Sequence, residues 1–307
     1  MSCMTTSSAQ FTTRDLLSAL LVVIIWGTNF VAMKIGLRHL TPFQLGAFRY
    51  LFAVLPLIIF IRPPKLPAKW VIAYGLSQGV GQFGLLFLSL KIGMSASLAS
   101  VILQTQVFFT AIFGFMLLKE RTSRALLAGL ALAAVGLGCF AINFFESAHA
   151  SDITPAGFVL CLMGAAMWAV SNIVVRRAQK ETPDFDVVSF IVWCGVVPIV
   201  PFVLLSLAFD DPATRWQWVE APFDAWVAVA YIGWMSTIVG YALWTRLLKR
   251  YPVNRVAPFS LSVPVVGITS GMLALGDLIT GWQWAGIALI VFSLICTMFG
   301  GRWLDRS

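Results

Sequence analysis

The sequence predicts an all-α integral membrane protein with ten transmembrane helices, arranged as two inverted five-helix repeats. Three observations predict this fold. Ten apolar segments fill the 307 residues, and each has the length of about 17–25 residues that a membrane span needs. The last five segments echo the first five. The basic residues also collect on one side of the predicted membrane, as they do in multi-pass proteins.

The composition excludes a soluble fold. Hydrophobic residues make up 59% of the chain and charged residues only 11%, whereas soluble domains carry about 25% charged residues. All 13 carboxylates fall in predicted loops, tails or span ends, and Arg49 is the one basic residue clearly inside a span. Lipid cannot satisfy backbone hydrogen bonds, so the spans are predicted to be helices. In chain order they are Leu16–Met33, Leu45–Ile61, Trp70–Leu90, Ser95–Leu118, Ala125–Phe145, Thr154–Val175, Val187–Phe209, Ala225–Leu248, Val256–Leu275 and Trp282–Gly300.

Loop charge predicts that both termini face the cytoplasm. Sixteen Lys and Arg residues fall in the loops and tails on one side of this map, and four fall on the other. Positively charged loops stay in the cytoplasm. The net charge of +8 is therefore a consequence of topology. It predicts contact with the anionic headgroups of a lipid bilayer, and no nucleic-acid partner.

Matches between the halves predict an internal duplication, which an odd number of spans per repeat would invert in the membrane. Three matches keep the same order: Trp26-Gly-Thr-Asn29 with Trp168-Ala-Val-Ser-Asn172, Leu103-Gln104-Thr-Gln106 with Leu261-Ser262-Val-Pro264, and Glu120 with Asp277. The predicted division is a disordered cytoplasmic N-terminus at residues 1–13, a first repeat at 14–145, an external linker at 146–153, a second repeat at 154–301 and a cytoplasmic tail at 302–307.

Polar side chains inside spans are the candidates for a solute pathway, because a transported solute exchanges its hydration shell for protein groups near the midplane. Each candidate also has a structural interpretation, since Asn, Gln, Ser and Thr hydrogen-bond neighbouring helices. Gln78 and Gln82 lie four residues apart in the third span and therefore share one helix face. They predict either a pathway face or a helix contact.

The fourth and ninth spans carry a second set of candidates. Gln104 and Gln106 would lie about 200° apart on an α-helix, so we expect one of them to line the pathway and the other to bond a neighbouring helix. Their repeat partners are Ser262, also a pathway candidate, and Pro264. Proline lacks a backbone donor and weakens a helix, which makes Pro264 a hinge candidate.

Asn29 and Asn172 occupy equivalent places in the two halves, beside Trp26 and Trp168. An asparagine side chain offers both donors and an acceptor, which suits an amino-acid zwitterion. The alternative is that the two asparagines tie the first span to the sixth. The tryptophans either line the cavity or pack between helices.

Three further residues complete the predicted pathway. Arg49 lies five residues into the second predicted span, about 8 Å deep at the usual helical rise. It either snorkels outward to the membrane surface or captures a substrate carboxylate near the exit. Tyr241 and Trp244 share one face of the eighth span, where they either gate or stack on a solute or simply pack.

Several motifs resemble the drug/metabolite transporter superfamily, in its ten-helix branch with two EamA-type domains. The resemblance covers about Leu16 to Phe299. It is carried by Trp26-Gly27-x-Asn29-Phe30, Phe48-Arg49-Tyr50, Lys119-Glu120-Arg121, Leu103-Gln104-x-Gln106-x-Phe108-Phe109, the glycine-rich fifth span, and Arg250-Tyr251 through Val263-Pro264-Val265-Val266-Gly267. The family usually has Gly-Glu-Arg after the fourth span; here Lys119 replaces the glycine, and the second copy is reduced to Gly276-Asp277-Leu278.

The resemblance implies an exporter of small amino-acid-type metabolites, similar to family members that export O-acetylserine and cysteine. It implies a multi-pass location in the bacterial inner membrane and a small-molecule solute as the partner. The inverted repeat predicts alternating access around a midplane cavity, and we expect a monomer to be functional.

The residues alone leave other functions open. Aromatic amino acids, drug-like cations or sugar conjugates are alternative solutes, and a membrane-embedded enzyme or sensor is the alternative of a different class. The absence of any mid-span Asp or Glu argues against proton antiport through a membrane carboxylate and favours facilitated diffusion. The sequence contains no Walker loop, H-E-x-x-H or G-x-S-x-G motif, so we expect no enzymatic activity, cofactor or metal site.

Overall fold

A computed structural model of the chain describes residues 12–118, 124–146, 153–251, 256 and 259–299, and this part of the chain is helical without any strand. The predicted N-terminal tail (apart from Thr12 and Thr13), most of the linker 146–153 and the tail 302–307 lie outside the described residues. So do Lys119, Glu120 and Arg121, which carry one of the motifs.

Ten helical segments follow the predicted spans. They are Thr13–Gly36 (α1), Pro42–Ile58 (α2), Ala68–Tyr74 continued by Gly75–Gly84 and Leu85–Lys91 (α3), Ala96–Ile102 continued by Leu103–Thr105 and Gln106–Leu118 (α4), Arg124–Glu146 (α5), Pro155–Glu181 (α6), Val187–Val196 with Ile199–Phe209 (α7), Phe223–Ala230 continued by Tyr231–Val239 and Gly240–Arg250 (α8), Val263–Leu275 (α9) and Gly281–Phe299 (α10). A short 3₁₀ helix, Gln217–Glu220, lies in the loop before α8.

Six of these segments, α1, α3, α4, α6, α7 and α8, are long and apolar enough to cross a membrane by length and composition. Shorter apolar stretches lie in the other four, at Pro42–Ile58, Leu126–Ile142, Val263–Leu275 and Gly281–Thr297. The crossing of all ten, and the orientation with both termini inside, stay predictions.

Helix irregularities occur at equivalent places in the two halves. The middle of α3 is a π-helix at Gly75–Gly84, and the middle of α8 is a π-helix at Tyr231–Val239. Similarly, α4 is interrupted by the 3₁₀ turn Leu103–Thr105, and the chain turns at residues 261–262 directly before α9. The turn at Leu103–Thr105 and the turn at residues 261–262 fall at the matched motifs Leu103-Gln104-Thr-Gln106 and Leu261-Ser262-Val-Pro264. Irregular helices of this kind concentrate at functional sites.

Pro264 stands just after the turn at residues 261–262, in the first turn of α9. A proline at this position loses no intrahelical hydrogen bond, because the first N–H groups of a helix have no partner within it. The predicted ninth span therefore contains a break, and the proline starts the helix that follows. Movement about this break stays a prediction.

Pairs of equivalent helices from the two halves pack against each other: α2 with α7, α4 with α9, and α5 with α10. The α5–α10 contact is close because glycines face each other. A Cβ atom at Gly136 would lie 3.1 Å from the carbonyl oxygen of Gly286, and one at Gly286 would lie 2.9 Å from that of Gly136. The core of the bundle thus lies at the contact between the two halves.

Two helices extend beyond the apolar pattern. The sixth predicted span ended at Val175, but α6 continues to Glu181. Its polar last turns are held by Lys69, whose ammonium lies 2.8 Å from the Glu181 carboxylate. The second of these helices, α2, is longer at its N-terminus: it begins at Pro42, with a capping box between Thr41 and Gln44. The apolar pattern placed this start three residues too late.

Candidate functional site

A cavity of about 290 Å³ lies between the two halves. Its walls come from α1, α2, α3 and α4 of the first half and from α6, α8 and α9 of the second, with Ser260 contributed by the segment before α9. Ten residues predicted for a solute pathway line it together: Trp26, Asn29, Arg49, Gln82, Gln104, Gln106, Trp168, Asn172, Tyr241 and Trp244. Gln78 and Ser262 do not.

Arg49 is the one charged side chain among the described residues that line this cavity. It is the eighth residue of α2 and only 1% exposed. Its Nη2 atom donates to the Thr237 hydroxyl at 3.2 Å, and its Cζ atom lies 3.8 Å from the centre of the Phe83 ring. Within the described part of the chain, Nε and Nη1 have no hydrogen-bond partner. Of the two alternatives for Arg49, outward snorkelling is not what the structure shows, because the guanidinium is buried between Phe83 of α3 and Thr237 of α8.

The two equivalent asparagines have different surroundings. Asn172 donates to the Gln106 side-chain oxygen at 2.9 Å and to the Thr110 hydroxyl at 3.1 Å, which ties α6 to α4. Asn29 is 6% exposed and makes one weak contact to the sulfur of Met33 at 3.9 Å. Its Oδ1 atom has no partner among the described residues. The alternative that the pair ties the first span to the sixth is not what these contacts show.

Gln104 and Gln106 both line the cavity, which corrects the expectation that only one could. The 3₁₀ turn Leu103–Thr105 winds the chain more tightly than an α-helix, so their relative direction changes from the α-helical value. Both also bond a neighbouring segment. Gln104 donates to the Ser260 carbonyl at 3.0 Å, and Gln106 accepts from Asn172.

The two glutamines of α3 separate into different roles. Gln82 lines the cavity and accepts a hydrogen bond from the Gln78 amide. Gln78 itself accepts from the Ser171 hydroxyl of α6. It faces a smaller void of about 30 Å³ that it shares with Arg49 and Tyr241. Gln78 is therefore part of a helix contact, while Gln82 is exposed to the main cavity.

An aromatic wall closes one side of the cavity. The ring centres of Tyr241 and Trp244 both lie 5.4 Å from that of Trp26, with tilted planes. The Trp26 indole N–H is satisfied by the Ser236 carbonyl at 3.1 Å. These rings pack against each other and also line the cavity. Packing between helices and lining the cavity were predicted as alternatives, and the structure shows both.

Ser262 is exposed and lies outside the cavity, whereas Ser260 lines it. The turn at residues 261–262 accounts for this difference, because it breaks the helical register by which Ser262 had been matched to Gln104. Sequence reasoning also missed Ser100, Ser236 and Tyr74 as lining residues. A serine is a weak signal by itself, and Ser236 lies in the π-helical part of α8, where α-helical periodicity does not apply.

A network of hydrogen bonds joins helix ends on the predicted external side; we call it the outer network. The Asp210 carboxylate accepts from Thr41 at 2.7 Å and from Ser206 at 2.6 Å. The Asp277 carboxylate accepts from the backbone N–H of Ser97 at 2.9 Å. Lys34 and Lys91 donate to the carbonyls of Leu90 and Leu37 at 2.7 and 2.8 Å.

A cavity that contains polar side chains and lies between the two halves of a helical membrane protein is the arrangement of a transporter. The model of the EamA-like transporter family matches residues 14–142 and 155–299. The chain belongs to this family and is an integral multi-pass membrane protein that handles a small-molecule solute. The predicted family and its all-helical membrane fold are thereby confirmed.

Similar proteins agree with this family. The chain is 40% identical to a protein of Salmonella typhimurium named "Probable amino-acid metabolite efflux pump", over 94% of this chain and 96% of that protein. It is 38% identical, with the same coverage, to an Escherichia coli protein of the same name. A solved crystal structure, 20% identical, aligns over 96% of this chain and 99% of its own with a TM-score of 0.63, which shows the shared fold.

Proposed function

We propose that this protein exports small amino-acid-type metabolites, of the O-acetylserine and cysteine type, through the cavity between its two halves. The observation that carries the proposal is the lining of that cavity. Two of the residues that line it, Arg49 and Asn29, keep buried polar side-chain atoms without hydrogen-bond partners among the described residues. A solute with its own charged donors and acceptors would satisfy both. The names of the two efflux pumps at 38–40% identity support the same solute class.

The size of the cavity suits a small solute. Pockets for drug-sized ligands span about 300–1,000 Å³, so a cavity of about 290 Å³ stands at the small end of that range. A bulky sugar conjugate would need more room and more cations than the one arginine that the described lining contains. These properties favour a metabolite of amino-acid size.

Alternating access is the mechanism that the helix arrangement supports best. Two inverted repeats, residues 14–145 and 154–301, would rock about the contact between α4 and α9. The paired breaks in these helices supply the places where backbone angles can change. The outer network joins the external ends. On the predicted cytoplasmic side, the buried Asp15 carboxylate of α1 accepts from Arg250 at 3.0 Å and from the Tyr251 hydroxyl at 2.7 Å. Both sets of contacts would break and re-form in turn as the cavity opens to alternate sides of the membrane.

Location and assembly complete the proposal. The protein acts in the bacterial inner membrane with both termini in the cytoplasm, as the basic loops predict. The cavity is lined by residues of one chain, so a monomer suffices for transport. No enzymatic step is required, and solute flows down its gradient.

Aromatic amino acids are the second candidate solute. The observation that favours them is the aromatic wall of Trp26, Tyr241 and Trp244, on which a planar side chain could stack with a gain of about 0.5–1.5 kcal/mol per ring pair. The same zwitterionic head would then bind the polar part of the cavity.

The proposal is tested with purified protein in liposomes. Vesicles loaded with unlabelled O-acetylserine, cysteine, phenylalanine or glucose are diluted into a trace of the labelled solute. We expect counterflow for the amino acids above that of protein-free vesicles, and none for glucose. Equal uptake of label for all four solutes, at the level of protein-free vesicles, would contradict the proposed function. A larger signal for phenylalanine than for cysteine would select the second candidate.

A further inference from the structure

Arg49 and Asn29 differ from the other polar lining residues because each keeps a buried polar atom without a partner in the described part of the chain. We propose that the two form a zwitterion site, in which the Arg49 guanidinium binds the α-carboxylate of the solute and the Asn29 Oδ1 atom accepts from its α-ammonium. This inference rests on the proposed function and specifies which atoms select the solute.

An unpaired buried cation is unfavourable, since a charge removed from water needs a partner to offset the loss of hydration. Arg49 remains protonated at any physiological pH. Its surroundings hold it in place without neutralising it. The Thr237 hydroxyl accepts from Nη2 at 3.2 Å, and the Phe83 ring covers the guanidinium at 3.8 Å, where an aromatic face attracts a cation. The geometry therefore presents a positioned positive charge to the cavity.

The expected ligand group is a monoanion of carboxylate shape. A planar guanidinium pairs with a carboxylate through charge-assisted hydrogen bonds, and one cation balances one carboxylate. A phosphate dianion would leave a negative charge uncompensated, because the other described residues that line the cavity are uncharged.

Asn29 supplies the complementary half of the site. An ammonium group donates three hydrogen bonds and accepts none, so it needs free acceptors. The Asn29 Oδ1 atom is such an acceptor. The repeat partner Asn172 differs in that its amide nitrogen Nδ2 donates to Gln106 and to Thr110, which ties it to α4. The two halves are therefore not equivalent at this position, and the zwitterion is expected to lie on the α1–α2 side of the cavity.

Competition with unmodified protein tests the inference without relying on any variant. Liposomes take up labelled amino acid by counterflow in the presence of the unlabelled amino acid, its carboxamide, or its N-acetyl derivative. We expect both derivatives to compete at least about tenfold more weakly than the amino acid, since each loses a charged hydrogen bond. Equal competition by all three would overturn the zwitterion site while leaving transport intact. No uptake at all would instead be a failure of the proposed function.

Substitution then assigns each half of the site. Arg49→Gln should lower uptake of the amino acid about tenfold or more. It should also abolish the preference for the amino acid over its carboxamide. Arg49→Lys, which keeps the charge, should retain the preference. Asn29→Leu should abolish the preference for the amino acid over its N-acetyl derivative, and it should leave the preference over the carboxamide unchanged. Arg62→Gln is the matched control, because Arg62 is exposed in the loop before α3, and it should behave as the unmodified protein. Arg49→Gln with lower uptake but an unchanged preference for the carboxylate would overturn the assignment.

Discussion

The indole N–H of Trp26 donates a hydrogen bond to the backbone carbonyl of Ser236 at 3.1 Å. This bond joins α1 of the first half to the π-helical part of α8 in the second. The same π-helical segment supplies the Thr237 hydroxyl to Arg49 and the Tyr231 hydroxyl to Thr28 at 2.6 Å. A π-helix changes which carbonyls and side chains face a neighbour, so this segment organises one wall of the cavity.

Replacing Trp26 by phenylalanine tests the importance of that bond. Trp26→Phe keeps an aromatic ring but leaves the Ser236 carbonyl without its donor, which costs about 1–3 kcal/mol for a buried group. We expect a lower thermal unfolding midpoint in detergent and slower counterflow. Trp216→Phe is the control, because Trp216 is exposed in the loop before α8 and should change stability by less than about 0.5 kcal/mol. Equal midpoints for the two variants would contradict the role assigned to the Trp26 bond.

The contact between Gln78 and Ser171 predicts energetic coupling between α3 and α6. Gln78→Ala and Ser171→Ala each remove one side of the same buried hydrogen bond, so their effects on the free energy of unfolding should not add. The coupling is expected to be about 0.5–3 kcal/mol in a double-mutant cycle, measured by reversible denaturation in mixed micelles.

The matched cycle combines Gln78→Ala with Ser293→Ala. Ser293 is also buried, but its hydroxyl bonds within α10, to the Ile290 carbonyl at 2.7 Å. This pair should be additive within about 0.3–0.5 kcal/mol. Additivity in both cycles would contradict the Gln78–Ser171 contact.

Gly27 lies where α1 packs closely against α9. A Cβ atom there would lie 2.5 Å from the Cβ atom of Val266 and 3.1 Å from the Gly267 backbone nitrogen, and neither atom can move without shifting the helix. Gly27→Ala should therefore destabilise the protein by about 1–3 kcal/mol and reduce its yield in membranes. Gly138→Ala, where no atom lies within 4 Å, should be neutral. A normal yield and unfolding midpoint for Gly27→Ala would show that α1 and α9 are further apart than described.

The outer network predicts that external access is controlled by single hydrogen bonds. Asp277→Ala removes the acceptor of the Ser97 N–H, which stabilises the start of α4 by about 1 kcal/mol. A cysteine at Ser100, one turn deeper and buried in the cavity wall, should then react faster with an impermeant thiol reagent added outside intact cells.

The control for this experiment is Glu220→Ala, which removes an exposed carboxylate from the loop before α8. It should leave the labelling rate of the same cysteine unchanged. Identical labelling rates in the Asp277→Ala and Glu220→Ala backgrounds would mean that the Asp277 bond does not hold the external side closed.

Much of the fold follows from the sequence because membrane helices are specified by long apolar runs. The seventh predicted span, Val187–Phe209, has the bounds of the structure, and seven of the other nine differ by three residues or fewer at either end. The sixth ends later than predicted, at Glu181, and the helix of the ninth begins later, at Val263. Errors appear where polar residues belong to a helix. The polar residues Thr41 and Gln44, which form the capping box of α2, were left out of the predicted second span. The prediction therefore placed Arg49 about one helical turn too close to the start of that helix.

The site was harder to predict because it depends on irregular helices. Gln82 was predicted from helical periodicity, and Trp26 and Asn29 from the repeat; all three line the cavity. The expectation that only one of Gln104 and Gln106 would line it assumed an unbroken α-helix in the fourth span. The match of Ser262 to Gln104 likewise assumed an unbroken ninth span. The π-helical segment Tyr231–Val239, which carries the cavity-lining Ser236 and places Thr237 beside Arg49, leaves no clear periodic signal in the sequence.

The most direct test of the central claim, that solute passes through the cavity between the halves, is protection of an introduced thiol. Single cysteines replace Ser260, which lines the cavity, or Ser262, which is exposed outside it, in a chain whose five native cysteines are changed to alanine. The account predicts that saturating O-acetylserine slows alkylation of the cysteine at position 260 severalfold and leaves that at position 262 unchanged. Equal alkylation rates with and without solute at position 260, in protein that still shows counterflow, would contradict it.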